Sequence, residues 1–120
     1  MSTNYVQEGD IIQHTAAANI AAGAVVRVGQ TLGVSLNDIA SGATGPVAIR
    51  GVFSVSKVSA AVIAQGESLT WDASASAFDD NAATPATGDV TGSPAVAWEA
   101  AGNGVTSLQV LFTGVPGTVA

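Results

Sequence analysis

The sequence predicts a mainly β protein, a small β-barrel of short strands with at most one short helix. Three observations carry this. Residues 23 to 57 are a train of short Val-rich runs cut by Gly every few residues, and β-branched runs between Gly or Asn-Asp punctuation read as strand, turn, strand. Further short runs of the same kind continue to Thr113, and many short strands at such spacing indicate a barrel or compact sandwich. The chain has 120 residues, enough to close one core and too few for a core plus a deep substrate cleft.

Taken in order, Tyr5-Val6-Gln7 and Ile11 to Thr15 are strand candidates separated by the turn residues Glu8-Gly9-Asp10. Ala16 to Ala22 is a small-residue connection with room for a helical turn. Ala24–Val28 and Thr31–Leu36 make a hairpin around Gly29-Gln30. Asn37 to Gly45 has loop composition. Pro46 opens Val47–Arg50, and Gly51 separates it from Val52–Lys57, whose Val, Phe and Val alternate with smaller or polar residues and so present one face to a core. Val58 to Gln65 is the helix candidate, with Gly66 as its left-handed terminal residue. Glu67–Asp72 is a strand, and residues 73 to 94 are an Ala, Gly and Pro-rich stretch with one brief strand at Ala77-Phe78. Pro94–Glu99 and Val105–Thr113 complete the sheet across the turn Gly102-Asn103-Gly104. The barrel domain is bounded at residues 10 and 115, between an N-terminal arm, 1–9, and a C-terminal tail, 116–120.

Hydrophobic residues make up 48% of the chain, yet much of that share is Ala and the large aromatics are few: Tyr5, Phe53, Trp71, Phe78, Trp98 and Phe112. Burial must come mainly from Val, Ile and Leu, each worth roughly 1.5–3 kcal/mol when fully buried. A core this light favours an oligomer, in which association adds to the folding free energy. The net charge of −6 argues against nucleic acid, whose affinity rests on clustered Lys and Arg, and against anionic membrane surfaces. No apolar run approaches the length of a spanning helix. The N-terminus lacks the basic start and apolar run of a signal peptide, so synthesis and retention in the cytoplasm are expected. With no Cys, disulfides, thiolate metal sites and thiol nucleophiles are excluded.

The residues that carry chemistry are sparse. His14, the single histidine, has no marked partner and reads as a strand residue. Asp72, Asp79, Asp80 and Asp89 do not match the spacing of a calcium loop and read as turn chemistry. Lys57 follows Ser56 rather than Gly, so there is no phosphate loop, and neither G-x-G-x-x-G before a helix nor G-x-S-x-G is present. No enzyme activity, cofactor or metal is expected. Trp71 and Trp98 read as core or subunit-interface residues, with Phe53 beside them as a further interface candidate. Arg27, Arg50 and Lys57 are the only cations and are expected to pair with carboxylates on neighbouring strands or subunits.

An ordered series of residues adds to this reading. Asn4-Tyr5-Val6-Gln7-Glu8-Gly9-Asp10, then Gly33-Val34 with Asp38-Ile39-Ala40 and Gly42, Gly51-Val52-Phe53 with Val55 and Lys57, Gln65-Gly66-Glu67 with Leu69 and Trp71-Asp72, Ala97 with Glu99-Ala100-Ala101, and Leu108-Gln109-Val110-Leu111-Phe112 together resemble the capsid cement (decoration) proteins of tailed bacteriophages and prophages. The resemblance covers roughly residues 4 to 113, with a longer link from Asp80 to Pro94. It implies a small β-barrel, often a homotrimer, on the outside of an icosahedral head at three-fold and quasi-three-fold positions. There it would stabilise contacts of the major capsid protein against packaged DNA, a role similar to that of lambda-type head decoration proteins. The expected partners are thus the major capsid protein and further copies of the chain. The expected location is the outer capsid surface of a virion, after synthesis in the bacterial host cytoplasm. On this reading the arm residues Asn4, Tyr5, Val6, Gln7 and Glu8 contact the capsid, Phe53, Trp71 and Trp98 are candidates for the subunit interface, and the alternative is a virion-displayed carbohydrate or host-surface binding module that uses Trp71, Trp98 or the 79–94 loop.

Overall fold

The structure, a computed structural model, describes residues 7–120. The arm residues Asn4, Tyr5 and Val6, and with them most of the first expected strand, lie outside the described residues. Among the described residues eleven strands follow one another: β1 (Ile11–Thr15), β2 (Val25–Val28), β3 (Thr31–Ser35), β4 (Thr44–Ala48), β5 (Arg50–Ser56), β6 (Thr70–Asp72), β7 (Ala77–Asp79), β8 (Val90–Thr91), β9 (Ala95–Ala97), β10 (Ser107–Thr113) and β11 (Thr118–Val119). No helix occurs among the described residues. The strands form three sheets, ordered β1-β4-β3-β2, β5-β10-β9 and β11-β8-β6-β7, curled as a half-barrel around a shared core.

The expected hairpin is present, with Val28 facing Thr31 across Gly29-Gln30. Gly29 has φ +62°, a left-handed conformation that a two-residue turn between twisted strands requires. The β4 and β5 strands are nearly one strand that changes sheet. The break falls at Ile49 rather than Gly51, while Gly51, with φ +129°, turns the backbone inside β5. Before the break, the chain pairs antiparallel with β1, Ile11 facing Ala48; after it, with β10, Thr113 facing Arg50. Two sheets are thereby joined by a crease at residues 49 to 51. Thr44 and Gly45, expected in a loop, belong to β4. Pro46 sits within β4 just past the last named β3 pair, Ser35–Val47, where it keeps its carbonyl bond from Leu36 N at 3.1 Å but donates none.

The core draws on all three sheets. Leu32 and Val34, then Val55, Leu108, Val110 and Phe112, then Leu69, Trp71, Phe78 and Val90 form one buried cluster. Three ring pairs run through it edge to face, Trp71–Phe78 at 4.9 Å, Phe78–Phe112 at 6.0 Å and Phe53–Phe112 at 5.9 Å, the arrangement that aligns ring edges with ring faces. A smaller cluster of Ala16, Val26, Ile39 and Val47 packs beneath the first sheet.

The helix expected over Val58–Gln65 does not form. Ala61 and Ile63 are buried at 4% and 2% while Val62 between them is 64% exposed, the period of an extended segment rather than of a helix. Ile63 bridges Ala101 in both directions, at 2.8 and 2.9 Å. These long-range bonds outweigh the marginal stability of an eight-residue helix. Gly66 does take positive φ, +84°, but as part of a turn. Residues 16 to 22 are likewise non-helical, with Ile20 bridging Ile39. The 116–120 segment contains β11, which pairs with β8 through Thr118–Thr91 and Val119–Val90.

Candidate functional site

The described end of the arm is fixed at the crease. Asp10 O accepts from Ile49 N at 2.9 Å, and the Asp10 carboxylate lies 3.6 Å from the Arg50 guanidinium. The pair is exposed on both sides and contributes little to stability; it sets Asp10 beside Arg50, which faces Thr113 at the end of β10. Gly9 has φ +85°, and Gln7 Nε2 donates to Ile11 O at 2.9 Å. Gln7 to Ile11 line a shallow hollow of about 320 Å³. Of the five arm residues, Gln7 and Glu8 are therefore placed at this exit.

The three aromatic candidates occupy different environments. Trp71 is 7% exposed and belongs to the core; Phe53 is partly buried and packs on that core through Phe112. Trp98, by contrast, is 51% exposed. It follows β9 on the outer side of the β5-β10-β9 sheet, with its carbonyl accepting from Gln65 Nε2 at 3.3 Å. Beside it runs an apolar groove of about 370 Å³, lined by Gln65, Gly66, Val96, Ala97, Trp98 and Leu111.

The carboxylates of the 72–94 region are spent on the backbone. Asp72 Oδ1 accepts from Ser74 Oγ at 2.8 Å and from the amides of Ser74 and Ala75 at 3.1 and 3.2 Å. The Ser74 hydroxyl first, then the Ala75 amide, hold its carboxyl below the usual value. Asp89, 4% exposed, accepts from Ala73 N and Ala86 N at 3.1 and 3.0 Å, and Asp80 accepts from Ala82 N at 3.0 Å. Glu67 clamps two segments, taking Ala64 N at 2.8 Å and Asn81 N at 3.0 Å. Among the described residues, no three His, Cys, Asp or Glu side chains stand together as a metal-ligand set. The 79–94 loop is thus ordered by its own acids.

The cations differ from the expected pattern of carboxylate pairing. Arg50 does meet Asp10, but Arg27 Nη1 donates to Gly29 O at 2.9 Å. Lys57 is 3% exposed, and its Nζ lies within hydrogen-bond reach of four backbone carbonyls: Val58 O at 2.8 Å, Ser59 O at 3.2 Å, Gly102 O at 3.0 Å and Val105 O at 3.0 Å. Carbonyl dipoles take the place of a counter-ion and tie the 58–60 turn to the 102–105 turn. Sequence spacing did not reveal this role; the one available signal was a Lys closing a strand that otherwise alternates toward the core.

A half-open cleft of about 440 Å³ lies among Gly23, Ala24, Val25, Ser54, Val55, Ser56, Trp71, Ser76 and Ser107. Its serines have no imidazole or carboxylate among the lining residues to activate them. His14 stands on β1 opposite Gly45.

The chain matches the model of the phage cement protein family over residues 6–112, from the arm to the end of the core part of β10. No curated protein matches the chain. A match of that extent, across the crease, the core strands and the carbonyl-caging Lys57, places this chain in the phage cement protein family.

Proposed function

We propose that the protein is a capsid decoration protein that binds the outer surface of the mature icosahedral head at three-fold and quasi-three-fold positions and stabilises contacts of the major capsid protein against internal DNA pressure. The family match over residues 6–112 is the observation that carries it. Its action is binding, not catalysis, with no cofactor. Three chains of 11.7 kDa form a homotrimer, and each offers one arm, residues 2–8, to the shell. An extended arm can add to an open sheet edge of a capsid subunit, main-chain hydrogen bonds giving affinity and Tyr5 and Val6 giving side-chain anchors. The described end of the arm is held at the crease, where Asp10 meets Ile49 and Arg50, which supports an arm anchored to the body at that point.

The test is co-sedimentation with mature heads stripped of the protein, beside unexpanded heads. Saturation near three copies per three-fold site is expected on mature heads, and absence of binding would remove the reading. Deleting residues 2–8 should abolish head binding while leaving a folded trimer; retained binding would remove the arm from the mechanism. A second reading, a displayed carbohydrate or host-surface module, is favoured only by the exposed Trp98, since Trp71 offers little ring area. A glycan array separates the two.

A further inference from the structure

We infer that copies of this protein meet through the outer face of the β5-β10-β9 sheet, and that the occupant of that face is a second copy of the chain. The inference rests on the self-association proposed above and names its surface.

Strand alternation sends Val55, Leu108, Val110, Phe112, Ala95 and Ala97 into the core and the intervening side chains outward. By register, Leu111 faces Val52 on one side and Val96 on the other, so these three form an apolar row across all three strands. Val52 is 41% exposed, and Trp98, two residues beyond Val96, is 51% exposed. A solvated sheet face normally carries polar residues. Ser54, Ser56, Ser107 and Gln109 supply them on one side of this row, and Arg50 and Thr113 on the other; the row of Val52, Leu111 and Val96 does not, and Trp98, whose amide donates to Gln109 O at 2.9 Å, extends the exposed apolar surface at the β9 edge. A Trp beside an apolar groove is the composition of an interface hot spot.

Charge decides which partner fits. The chain carries nine carboxylates and a net charge of −6, yet β5, β10 and β9 contain no Asp or Glu. A cationic partner would be drawn to the carboxylates, which lie off these strands. A face cleared of them suits a partner of the same sign, since two bodies of like charge repel least where neither presents charge. A second copy is that partner. The charged residues at the borders are of opposite sign, Arg50 at the start of β5 and Glu99 just past β9. Copies set head to tail bring one toward the other, and a head-to-tail contact is the type that closes a ring.

The test uses the full chain. Native mass spectrometry and sedimentation equilibrium should give the wild type as an oligomer and Leu111→Glu as a monomer with an unchanged circular dichroism spectrum. Val62→Glu, a charge placed on an exposed apolar residue outside this sheet, should leave the oligomer intact. Should Leu111→Glu fail to fold, Trp98→Ser, at a half-exposed position, serves in its place, with at least a tenfold weaker association expected. An oligomer that survives both Leu111→Glu and Trp98→Ser overturns the assignment, as does one that Val62→Glu dissociates while they do not. Tryptophan emission gives a second readout: it should shift to the red when the wild type dissociates on dilution, and Trp98→Phe should abolish the shift. A wild type that is monomeric yet saturates stripped heads overturns self-association and this surface together while leaving the cement reading standing. An oligomer lost in Leu111→Glu but unable to bind heads does the reverse.

Discussion

Lys57 ties two turns together through one buried ammonium with four carbonyl partners. Its ammonium, 3% exposed, satisfies carbonyls from two turns 45 residues apart in sequence. Three of those carbonyls also accept a backbone amide, Val58 O from Ala61 N, Ser59 O from Gly104 N and Gly102 O from Val105 N, so removing the cation does not strip them bare. Val105 O and the desolvated pocket carry the main penalty. Lys57→Met, which keeps the apolar stem, should therefore destabilise the protein by about 3 kcal/mol. Thermal unfolding should register that as a midpoint lower by on the order of 10 °C, and a change within a degree or two would show that the cage contributes little. Asp72 acts at the same scale through pH. Its carboxyl is held below its ordinary value of 3.8 by the Ser74 hydroxyl and the neighbouring amides. The native state thus favours the charged form, so its contribution is present above pH 3.8 and fades as pH falls through the lower native value. Asp72→Asn should lower the unfolding midpoint at pH 7 and converge with wild type in strong acid; a gap that stays constant down to pH 2 would assign the effect to shape rather than charge.

At the scale of elements, β11 is the most exposed to test. Its two residues pair with β8, Gly117 N donates to Gln30 O at 2.7 Å, and Ala120 N and Gly88 N close the end at 2.9 and 3.0 Å. The approach is close enough that a Cβ at Gly117 would fall on Thr91 O and lie 2.7 Å from the Pro94 ring. Removing residues 116–120 should cost about 2–3 kcal/mol, from lost hydrogen bonds and the uncovering of Val90, without changing self-association, because the β5-β10-β9 sheet lies elsewhere. Denaturant titration and native mass together check both halves of that expectation. The sequence made some elements plain and hid others for physical reasons. Strands β5 and β10 are seven residues long, enough for a period of two to show, but the adjacent apolar residues Val52-Phe53 and Val110-Leu111-Phe112 hid that Val52 and Leu111 face outward, Val52 being 41% exposed. Strands β8 and β11 have two residues each, too few for any period, and exist because partners distant in sequence pair with them. The 58–65 segment misled because Ala and Ile suit a helix locally, while the bonds to Ala101 and the Lys57 cage that keep it extended come from 40 or so residues away. Among the site residues, the fate of Trp71 and Trp98 was undecidable from composition: one lies within a three-residue strand and the other just follows one, and only the fold shows one ring turned into the core and the other left outside.

For the whole molecule, the arm and the association surface are separable, and their product sets the strength of the proposed staple. The arm leaves at the crease beside Arg50, whereas the apolar row crosses the outer face of the sheet from Val52 to Val96. A monomeric Leu111→Glu protein therefore keeps an intact arm, and an arm deletion keeps an intact oligomer. Each arm offers few residues and binds weakly alone. Joined in one ring, the second and third arms bind from a high effective concentration, which raises overall affinity by about 10²–10⁴-fold when the geometry fits all sites at once. Titrating stripped heads should then give three distinct curves: tight saturation for the wild type, saturation displaced to about 10²–10⁴-fold higher concentration for Leu111→Glu, and no binding for the chain lacking residues 2–8. A monomeric variant that binds as tightly as wild type would show that one contact suffices and that the ring adds nothing at the capsid. Equal loss in both variants would place capsid contacts on the sheet face itself, and the assignment of that face to a second copy would fall with it.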